Sequence, residues 1–174
     1  VKYLNLNILI NYSLFEETMD PMRIEGKIKL RPAVIEDLQD IINLDAEVSG
    51  FEKQEYWKDR FDRMSTRDTS HLLVAEVTEL ILSNRILGFI VGEVRAWEFG
   101  SHPCGWIFAI GVSPDHRVQG IGETLFTAMC EAFKSNGANS VRTMIARRDQ
   151  LNMSFFRAQG MKGGPFIELE KSLD

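Results

Sequence analysis

Cysteine and clustered basic charge are both scarce in this chain of 174 residues. Its two cysteines, Cys104 and Cys130, are too few for a disulfide framework and lack metal-ligand spacing, which predicts a reducing, cytoplasmic compartment and no metal site. Twenty basic residues against twenty-five acidic ones give a net charge of −5, and no cluster of lysine and arginine indicates a nucleic-acid surface. An anionic ligand must therefore be held by a local site.

A long uninterrupted hydrophobic run is also absent from the sequence. The apolar opening over residues 1–15 is broken by Asn5, Asn7 and Asn11, is too short to span a bilayer and has no small-residue cleavage site, so we expect neither a signal peptide nor a membrane anchor. We expect an extension over residues 1–22, from an upstream translation start or as a true packing segment, followed by a single domain over residues 23–174.

The spacing of apolar residues predicts a mixed α/β fold. Helices are expected from about residue 38, around residues 57–64, and over residues 120–135 and 150–159. Strands are expected around residues 28–30, 71–77, 86–94, 106–112, 141–146 and 165–170. Because a strand, a helix and another strand follow one another from residue 106 to 146, a parallel crossover is predicted there.

A glycine turn follows the strand over residues 106–112. The segment from Val112 to Gly122 reads V-S-P-D-H-R-V-Q-G-I-G, and an apolar helical pattern starts directly behind it. Gly120 and Gly122 have no Cβ, so the backbone can approach a ligand closely, and the first N–H groups of the helix are free to meet negative charge. The segment is therefore predicted to form an anion cradle.

Two common phosphate-binding motifs do not fit this turn. The dinucleotide fingerprint G-x-G-x-x-G requires a third glycine where this chain has Leu125. The nucleoside-triphosphate loop requires a Gly-Lys-Ser/Thr ending, which is missing. Both motifs are excluded.

The chain resembles the GNAT acyltransferase superfamily in four segments. Residues 117–122, Arg-Val-Gln-Gly-Ile-Gly, match that superfamily's pyrophosphate loop, R/Q-x-x-G-x-G/A, and Val112-x-Pro114 upstream also fits. Arg31-x-Ala33-x-x-x-Asp37 resembles the superfamily's beginning, and the segment 155–161, Phe-Phe-Arg-Ala-Gln-Gly-Met, resembles its F-Y-x-x-x-G-F near the end. The resemblance covers roughly residues 28–169.

The resemblance implies a fold and a function. It implies a mixed sheet of six to seven strands with helices on both faces, acetyl-coenzyme A (acetyl-CoA) as co-substrate, and transfer of the acetyl group to a primary amine by direct attack in a ternary complex. The acceptor is open between a small molecule and a protein amine, no nucleic acid or membrane is implied, and dimers are common in the superfamily, which makes a homodimer an option. The alternative is an acyl-CoA-binding module without catalysis.

By the same resemblance, the coenzyme lies along the strand and the turn. A bulge at Gly111 is expected to aim backbone N–H groups, that of Val112 among them, at the thioester oxygen, so that they act as an oxyanion hole; plain ladder pairing is the alternative. Arg117 and the hydroxyl of Thr124 are candidates for phosphate contact, although each also suits a solvated helix surface. The implied coenzyme-binding residues are Ile110, Gly111, Val112, Arg117, Val118, Gln119, Gly120, Ile121, Gly122, Glu123, Thr124, Asn152, Phe155 and Phe156.

Two positions depart from the superfamily's pattern. Phe156 stands where a tyrosine often protonates the leaving thiolate, so a water or another side chain must supply that proton; Tyr56 is a candidate. The superfamily's usual asparagine is replaced by Asp149, which leaves Asn152, three residues later, to bind the coenzyme or to lie on the helix surface.

The general base is expected to be Glu93, or a water. A carboxylate on an apolar strand is costly unless it is paired or functional, and a salt bridge to Arg95 or Arg142 would explain it equally well. His102 and His116 are the alternatives, the latter more suited to a structural role. An acidic run also lies at the helical hairpin and either attracts a cationic amine or forms a solvated face: Asp45, Glu47 and Glu52. Trp97 and Trp106 are expected either to line the acceptor pocket or to belong to the core.

Overall fold

The computed structural model describes residues 28–78, 86–97, 100–117 and 119–173. It divides into two compact units, residues 1–142 and 143–174, and each is described by itself. The predicted extension over residues 1–22 and the site residue Val118 lie outside the described residues.

A sheet of five strands in the order β1-β2-β3-β4-β5 forms the centre of the first unit. The first four strands are antiparallel, and β5 joins β4 in parallel, which confirms the predicted crossover. The strands are β1 (Ile28–Pro32), β2 (Ser70–Val77), β3 (Ile86–Arg95), β4 (Cys104–Val112) and β5 (Val141–Arg142).

The described residues contain four α-helices, three in the first unit and one in the second. They are α1 (Leu38–Ser49), α2 (Gln54–Thr66), α3 (Ile121–Ser135) and α4 (Gln150–Ala158). Glycines in the left-handed conformation follow the ends of three of them: Gly50 (φ +86°) after α1, Gly137 (φ +81°) after α3 and Gly160 (φ +81°) after α4. A glycine in this conformation is a common C-terminal stop of a helix.

The helices of the first unit lie on both faces of the sheet, as predicted. Phe89 and Val91 of β3 point to one face, where they join a core with α1 and α2. Trp57 is fully buried in that core, and its ring meets the ring of Phe89 edge-on at 4.9 Å. Gly88 and Gly92 alternate with these residues and face α3 on the other side.

A buried ionic network joins the first strand to the turn before α1. Arg31 donates to both carboxylate oxygens of Asp37, at 2.5 and 2.8 Å, and also pairs with Glu76. The Asp37 carboxylate in turn accepts the N–H of Val34 at 2.8 Å. These partners, Asp37 first, raise the pKa of Arg31. Arg31 and Asp37, the two charged residues of the first sequence motif, therefore stabilise the fold.

The predicted number of strands is not confirmed. The described residues contain five strands, not six or seven: the strand expected over 141–146 ends at Arg142, and that expected over 165–170 is absent. Ile167 and Leu169 alternate as in a strand but are 84% and 87% exposed. Alternation describes a suitable face, whereas a strand also requires a partner for its backbone, and the local sequence does not specify one.

Phe133 of α3 fills the space left by two glycines of the sheet. A Cβ on Gly105 would lie 1.9 Å from Cδ2 of Phe133, and one on Gly92 would lie 2.5 Å from its Cζ. Neither position has room for even a methyl group unless the ring moves. The ring and the two glycines therefore form one complementary contact between α3 and the sheet.

The Gly105→Ala substitution is expected to lower the free energy of unfolding by about 1–3 kcal/mol through overpacking against Phe133. Because a smaller side chain at 133 makes room for the methyl group, the double variant Gly105→Ala/Phe133→Leu should lose less than the sum of the two single losses. Urea denaturation of the four proteins measures this coupling. Strict additivity would show that the ring and the glycine do not interact.

The buried His71 predicts a pH dependence of stability. Burial lowers the pKa of His71 from its ordinary 6.5, and a hydrogen bond to Asn136 opposes that shift only in part. Because the unfolded chain takes up this proton more readily, the contribution to stability is present above the ordinary pKa and is lost as pH falls towards the folded one. His71→Gln retains a donor for Asn136 but does not titrate. Thermal melts from about pH 7.5 to 5 should therefore fall more steeply for the parent protein than for the variant; parallel curves would contradict this.

Candidate functional site

The edge of β4 that faces away from β3 loses its strand partner halfway along. Gly105 and Trp106 pair with Val141 and Arg142 of β5, and the pairing stops there. Among the described residues, the following part of β4, residues 108–112, pairs with β3 alone. We call this stretch the β4 edge. A strand edge presents backbone donors and acceptors at regular spacing, which makes it suited to an extended ligand.

The hydrogen bonds to β3 show which backbone groups point to the β4 edge. Ser113 donates its N–H to the carbonyl of Leu87 at 2.8 Å, so that pair is hydrogen-bonded. Since such pairs alternate along an antiparallel ladder, Gly111 also faces β3, whereas the N–H groups of Ile110 and Val112 are directed to the β4 edge.

The bulge lies at Phe108. At Gly111, where the sequence left a bulge or plain ladder pairing open, the structure has the ladder pairing. The register passes from Val91↔Ala109 to Gly92↔Ile107, so Phe108 is the additional residue of β4. Gly111 pairs regularly with Phe89, and a Cβ there would lie 2.6 Å from that ring. The glycine is thus required by a close ring on the neighbouring strand, and a single sequence does not reveal that contact.

The turn after β4 leads into the N-terminus of α3 through Gly120. Gly120 has φ +76°, a conformation that glycine adopts without strain, and no side chain caps the helix start among the described residues. The N–H groups of Ile121, Gly122 and Glu123 have no acceptor within the helix because they belong to its first turn. Together with the positive end of the helix dipole, they suit an anion.

The side chains of this turn contribute unequally. Arg117 and Gln119 are exposed and available to a ligand. Thr124 is only 5% exposed, and its hydroxyl donates to the carbonyl of Gly120 at 3.0 Å. The proton of that hydroxyl is therefore engaged within the helix, and neither predicted role of Thr124, phosphate contact or solvated surface, describes its place.

The second unit carries the remaining predicted coenzyme residues on α4. Asp149 caps this helix by accepting the backbone N–H of Asn152 at 3.1 Å and its side-chain amide at 2.7 Å. Phe156 is 4% exposed and meets the ring of Phe155 edge-on at 5.1 Å. The replacement of asparagine by Asp149 is thus explained locally, as a helix cap.

Glu93 is buried on β3 and surrounded by polar partners. Its carboxylate pairs with Arg67 at 3.2 Å and with Arg95 at 3.6 Å, and it accepts from the hydroxyl of Ser70 at 3.5 Å. The salt bridge to Arg95, one of the two explanations open from the sequence, is therefore present. It does not remove Glu93 from the site, since the carboxylate also lines a small cavity that is partly open to solvent.

This cavity brings in residues that the sequence analysis missed. Besides Glu93 it is lined by Arg60 and Arg63 of α2, by Val91 and by the bulge residue Phe108. Arg60 and Arg63 are three residues apart on α2, a spacing that places them on one helix face. That signal was available in the sequence, but the meeting of this face with Phe108 depends on the sheet register.

The acidic run at the hairpin does not act as one group. Asp45 is 4% exposed, pairs with Lys53 at 2.9 Å and accepts the indole N–H of Trp57 at 2.8 Å. Glu47 and Glu52 are exposed. The expectation that the run attracts a cationic amine is therefore wrong for Asp45, whose charge is balanced inside the fold.

The remaining candidate side chains from the sequence are a histidine in the turn, two tryptophans and a tyrosine. His116 lies 3.5 Å from the hydroxyl of Ser113, consistent with a structural role in the turn. Trp97 is 70% exposed beside His102, and Trp106 meets the guanidinium of Arg142. Burial raises the pKa of Tyr56.

No group of three or more metal-ligating side chains occurs among the described residues. In the same part of the chain, no helix is both long and apolar enough to cross a membrane.

Solved structures with the same fold include several acetyltransferases. An aminoglycoside N-acetyltransferase in complex with CoA superposes with a TM-score of 0.71 at 13% identity, covering 86% of this chain and 98% of the other. Glucosamine-6-phosphate N-acetyltransferase from Arabidopsis thaliana gives a TM-score of 0.65 at 21% identity, covering 84% and 99%. An aminoglycoside acetyltransferase from an uncultured soil metagenomic sample gives 0.66 at 19% identity, covering 87% and 100%. At these identities the likeness shows the fold alone.

A family model that matches most of the sequence shows the family of the chain. No curated protein matches the chain. The model of the acetyltransferase (GNAT) family matches residues 35–161, a span that runs from the turn before α1 to the end of α4 and includes the β4 edge and the turn into α3. The chain therefore belongs to the acetyltransferase (GNAT) family.

Proposed function

We propose that this acyltransferase transfers the acetyl group of its co-substrate, acetyl-CoA, to the primary amine of a small molecule by direct attack in a ternary complex. One observation carries the proposal: the turn that follows the β4 edge ends at Gly120, in front of the uncapped start of α3. Coenzyme A likewise consists of an extended arm joined to a diphosphate. The β4 edge would therefore meet the arm, and the helix start would meet the diphosphate.

The N-terminus of α3 fits the diphosphate. The N–H groups of its first turn, from Ile121 to Glu123, point out of the helix, and Gly120 adds no side chain in front of them. Because the chain as a whole carries a charge of −5, this local positive end and the exposed Arg117 would have to hold the phosphates.

The β4 edge fits the reacting group. When bound, acetyl-CoA supplies a thioester whose carbonyl carbon is open to a nucleophile. The N–H groups of Ile110 and Val112 are directed to the β4 edge and would donate to the carbonyl oxygen as it gains negative charge. Fixed donors of this kind stabilise a transition state because they need no reorganisation.

Glu93 is the proposed proton acceptor, through a water. Ile110 pairs with Ile90, and Glu93 lies three residues farther along β3, roughly 10 Å away at about 3.4 Å per residue. The side chain of Glu93 is too short to contact an amine at Ile110 directly, and a water in the cavity would bridge the gap. Tyr56 stays a candidate for the proton donor because its phenol is protonated near neutral pH, although burial raises its pKa and so makes it a weaker acid.

The neighbours' names support a small-molecule acceptor. They refer to aminoglycosides and to glucosamine-6-phosphate, which are both small molecules with primary amines. One aminoglycoside N-acetyltransferase was also solved with a bisubstrate analogue that joins CoA to an acetylated aminoglycoside fragment, as expected for direct transfer in that enzyme. The homodimer implied by the resemblance stays a prediction.

The Gly120→Ala substitution is expected to weaken CoA binding by about tenfold or more, because a Cβ at φ +76° strains the turn and shifts the N–H groups that meet the phosphates. Gly137→Ala is the matched control, since Gly137 has φ +81° at the other end of the same helix. Both variants should lose similar thermal stability, and only the first should lose affinity in calorimetric titration with CoA. Equal affinities would show that the turn does not hold the coenzyme.

The Glu93→Gln substitution is expected to lower kcat by about 10²–10⁴ with little change in the KM for acetyl-CoA, because it removes proton transfer and leaves the coenzyme's contacts in place. Thiol release from acetyl-CoA with a panel of amines measures both constants. An unchanged kcat across the pH range would assign the proton to water alone. Coenzyme binding without any amine-dependent release, in the parent protein too, would favour the non-catalytic module.

A further inference from the structure

The small cavity beside β3 has room for about one water. Its volume is about 10 Å³, close to the smallest space that holds a water molecule. Two of its wall residues carry polar groups that can bind such a molecule: Arg60 of α2 and Glu93 of β3. A buried water typically makes about three hydrogen bonds to groups that lack another partner. The partners of these two side chains therefore decide whether the cavity suits a water.

One donor of Arg60 lacks an acceptor. Its Nη2 donates to Asp59 at 2.9 Å, but its Nε–H is buried and meets no acceptor in the part of the chain that the structure describes. Buried donors without a partner are rare in folded proteins, so such a group usually marks a place where a further oxygen belongs. In a cavity of this size, a single water molecule supplies that oxygen.

The guanidinium of Arg60 is held in place by two aromatic rings. It lies over the rings of Tyr56 and Phe108, 5.1 and 5.0 Å from their centroids, and the side chain is 15% exposed. Stacking of this kind fixes the plane of a guanidinium and leaves the N–H groups at its rim for hydrogen bonds. The direction of the Nε–H bond is therefore fixed, and with it the position of an oxygen that accepts this hydrogen.

The two carboxylate oxygens of Glu93 have different partners. Oε1 faces Arg67 at 3.2 Å and Arg95 at 3.6 Å. Oε2 accepts from the hydroxyl of Ser70 at 3.5 Å, longer than the ~2.5–3.0 Å that is usual for a hydroxyl donor. Because a carboxylate oxygen can accept two hydrogen bonds, Oε2 has capacity for a donor from the cavity. Arg60 thus offers a donor, and Glu93 an acceptor, to the same small space.

We propose that one ordered water binds in the cavity between Arg60 and Glu93, and that Arg60 is a positioning residue for proton transfer from the acceptor amine. The water oxygen accepts the Nε–H of Arg60, and one of its O–H groups donates to Oε2 of Glu93. The second lone pair of the water is then available to the N–H of the amine. The inference rests on the proposed function and adds to it the residue that fixes the water.

The place of this water suits a proton relay. Phe108 lines the cavity and lies two residues before Ile110 on β4, roughly 7 Å along the strand, and two hydrogen bonds through one water span about 6 Å. When the amine has attacked, its N–H bond breaks and the electron pair stays on nitrogen. The proton passes to the water oxygen while a proton of the water passes to Oε2 of Glu93. The water is thereby restored and the carboxylate becomes neutral, whereas Arg60 keeps its own proton throughout.

A crystal structure at high resolution tests the water directly. In the parent protein, one water is expected about 2.7–3.2 Å from Nε of Arg60 and within hydrogen-bonding distance of Oε2 of Glu93. Arg60→Met, which keeps the length of the side chain and its apolar contact with the rings but loses the donor, should lack that water. Lys58→Met removes a positive charge from a half-exposed position of the same helix and should keep it. A parent cavity without the water, or a water that persists in Arg60→Met, would overturn the inference.

Kinetics test the positioning role. With an amine that the parent protein acetylates, Arg60→Met should lower kcat by about tenfold to a hundredfold and leave the KM for acetyl-CoA unchanged, because the water is no longer held in line. Lys58→Met should match the parent. Since Arg60 acts through Glu93, the double variant Arg60→Met/Glu93→Gln should be no slower than Glu93→Gln alone.

Three kinetic results would overturn the positioning role: an unchanged kcat in Arg60→Met, losses that multiply in the double variant, and a loss in Arg60→Met without any in Glu93→Gln. Failure of the parent protein to acetylate any amine would instead overturn the proposed function. The crystal structures need no turnover, so they decide the water site in that case as well.

Discussion

The end of strand pairing along β4 is the constraint on which the site depends. Backbone N–H and carbonyl groups need partners, and a strand inside a sheet uses both edges to provide them. Within the described parts of the chain, β4 has a neighbour on both sides only as far as Trp106. Beyond that point its polar groups on one side are directed away from the sheet. The same strand then enters the turn before α3, so residues 113–120 alone separate the open strand edge from the first N–H groups of that helix.

Local patterns made the fold and the turn predictable, whereas contacts between strands did not follow from one sequence. The glycine turn at 120 and the helical spacing of apolar residues over 120–135 each lie within one segment, and the structure has both. The bulge at Phe108 depends on how β4 pairs with β3, and the missing last strand depends on a partner. Both are properties of two segments, which propensity along one segment does not contain.

Charged residues were the hardest to assign, because the same side chain serves structure or ligand according to its neighbours. Asp45 appeared in a run that suggested an exposed acidic face, yet it is buried against Lys53 and Trp57. Glu93 has two ion-pair partners and still lines a cavity. Burial of a carboxylate requires compensation, but the sequence does not reveal whether the compensating group lies in the protein or arrives with the substrate.

Recognition through the main chain has a consequence for divergence. The helix start after Gly120 and the strand edge before it offer amide groups that are the same whichever side chains stand there, provided the turn keeps its shape. A coenzyme held in this way would tolerate extensive sequence change, as expected for a fold shared at 13–21% identity. An acceptor bound beside the β4 edge, as proposed, would instead be met by side chains, which carry no such requirement. Evolution could then exchange one acceptor for another while the donor half of the reaction stays as it is.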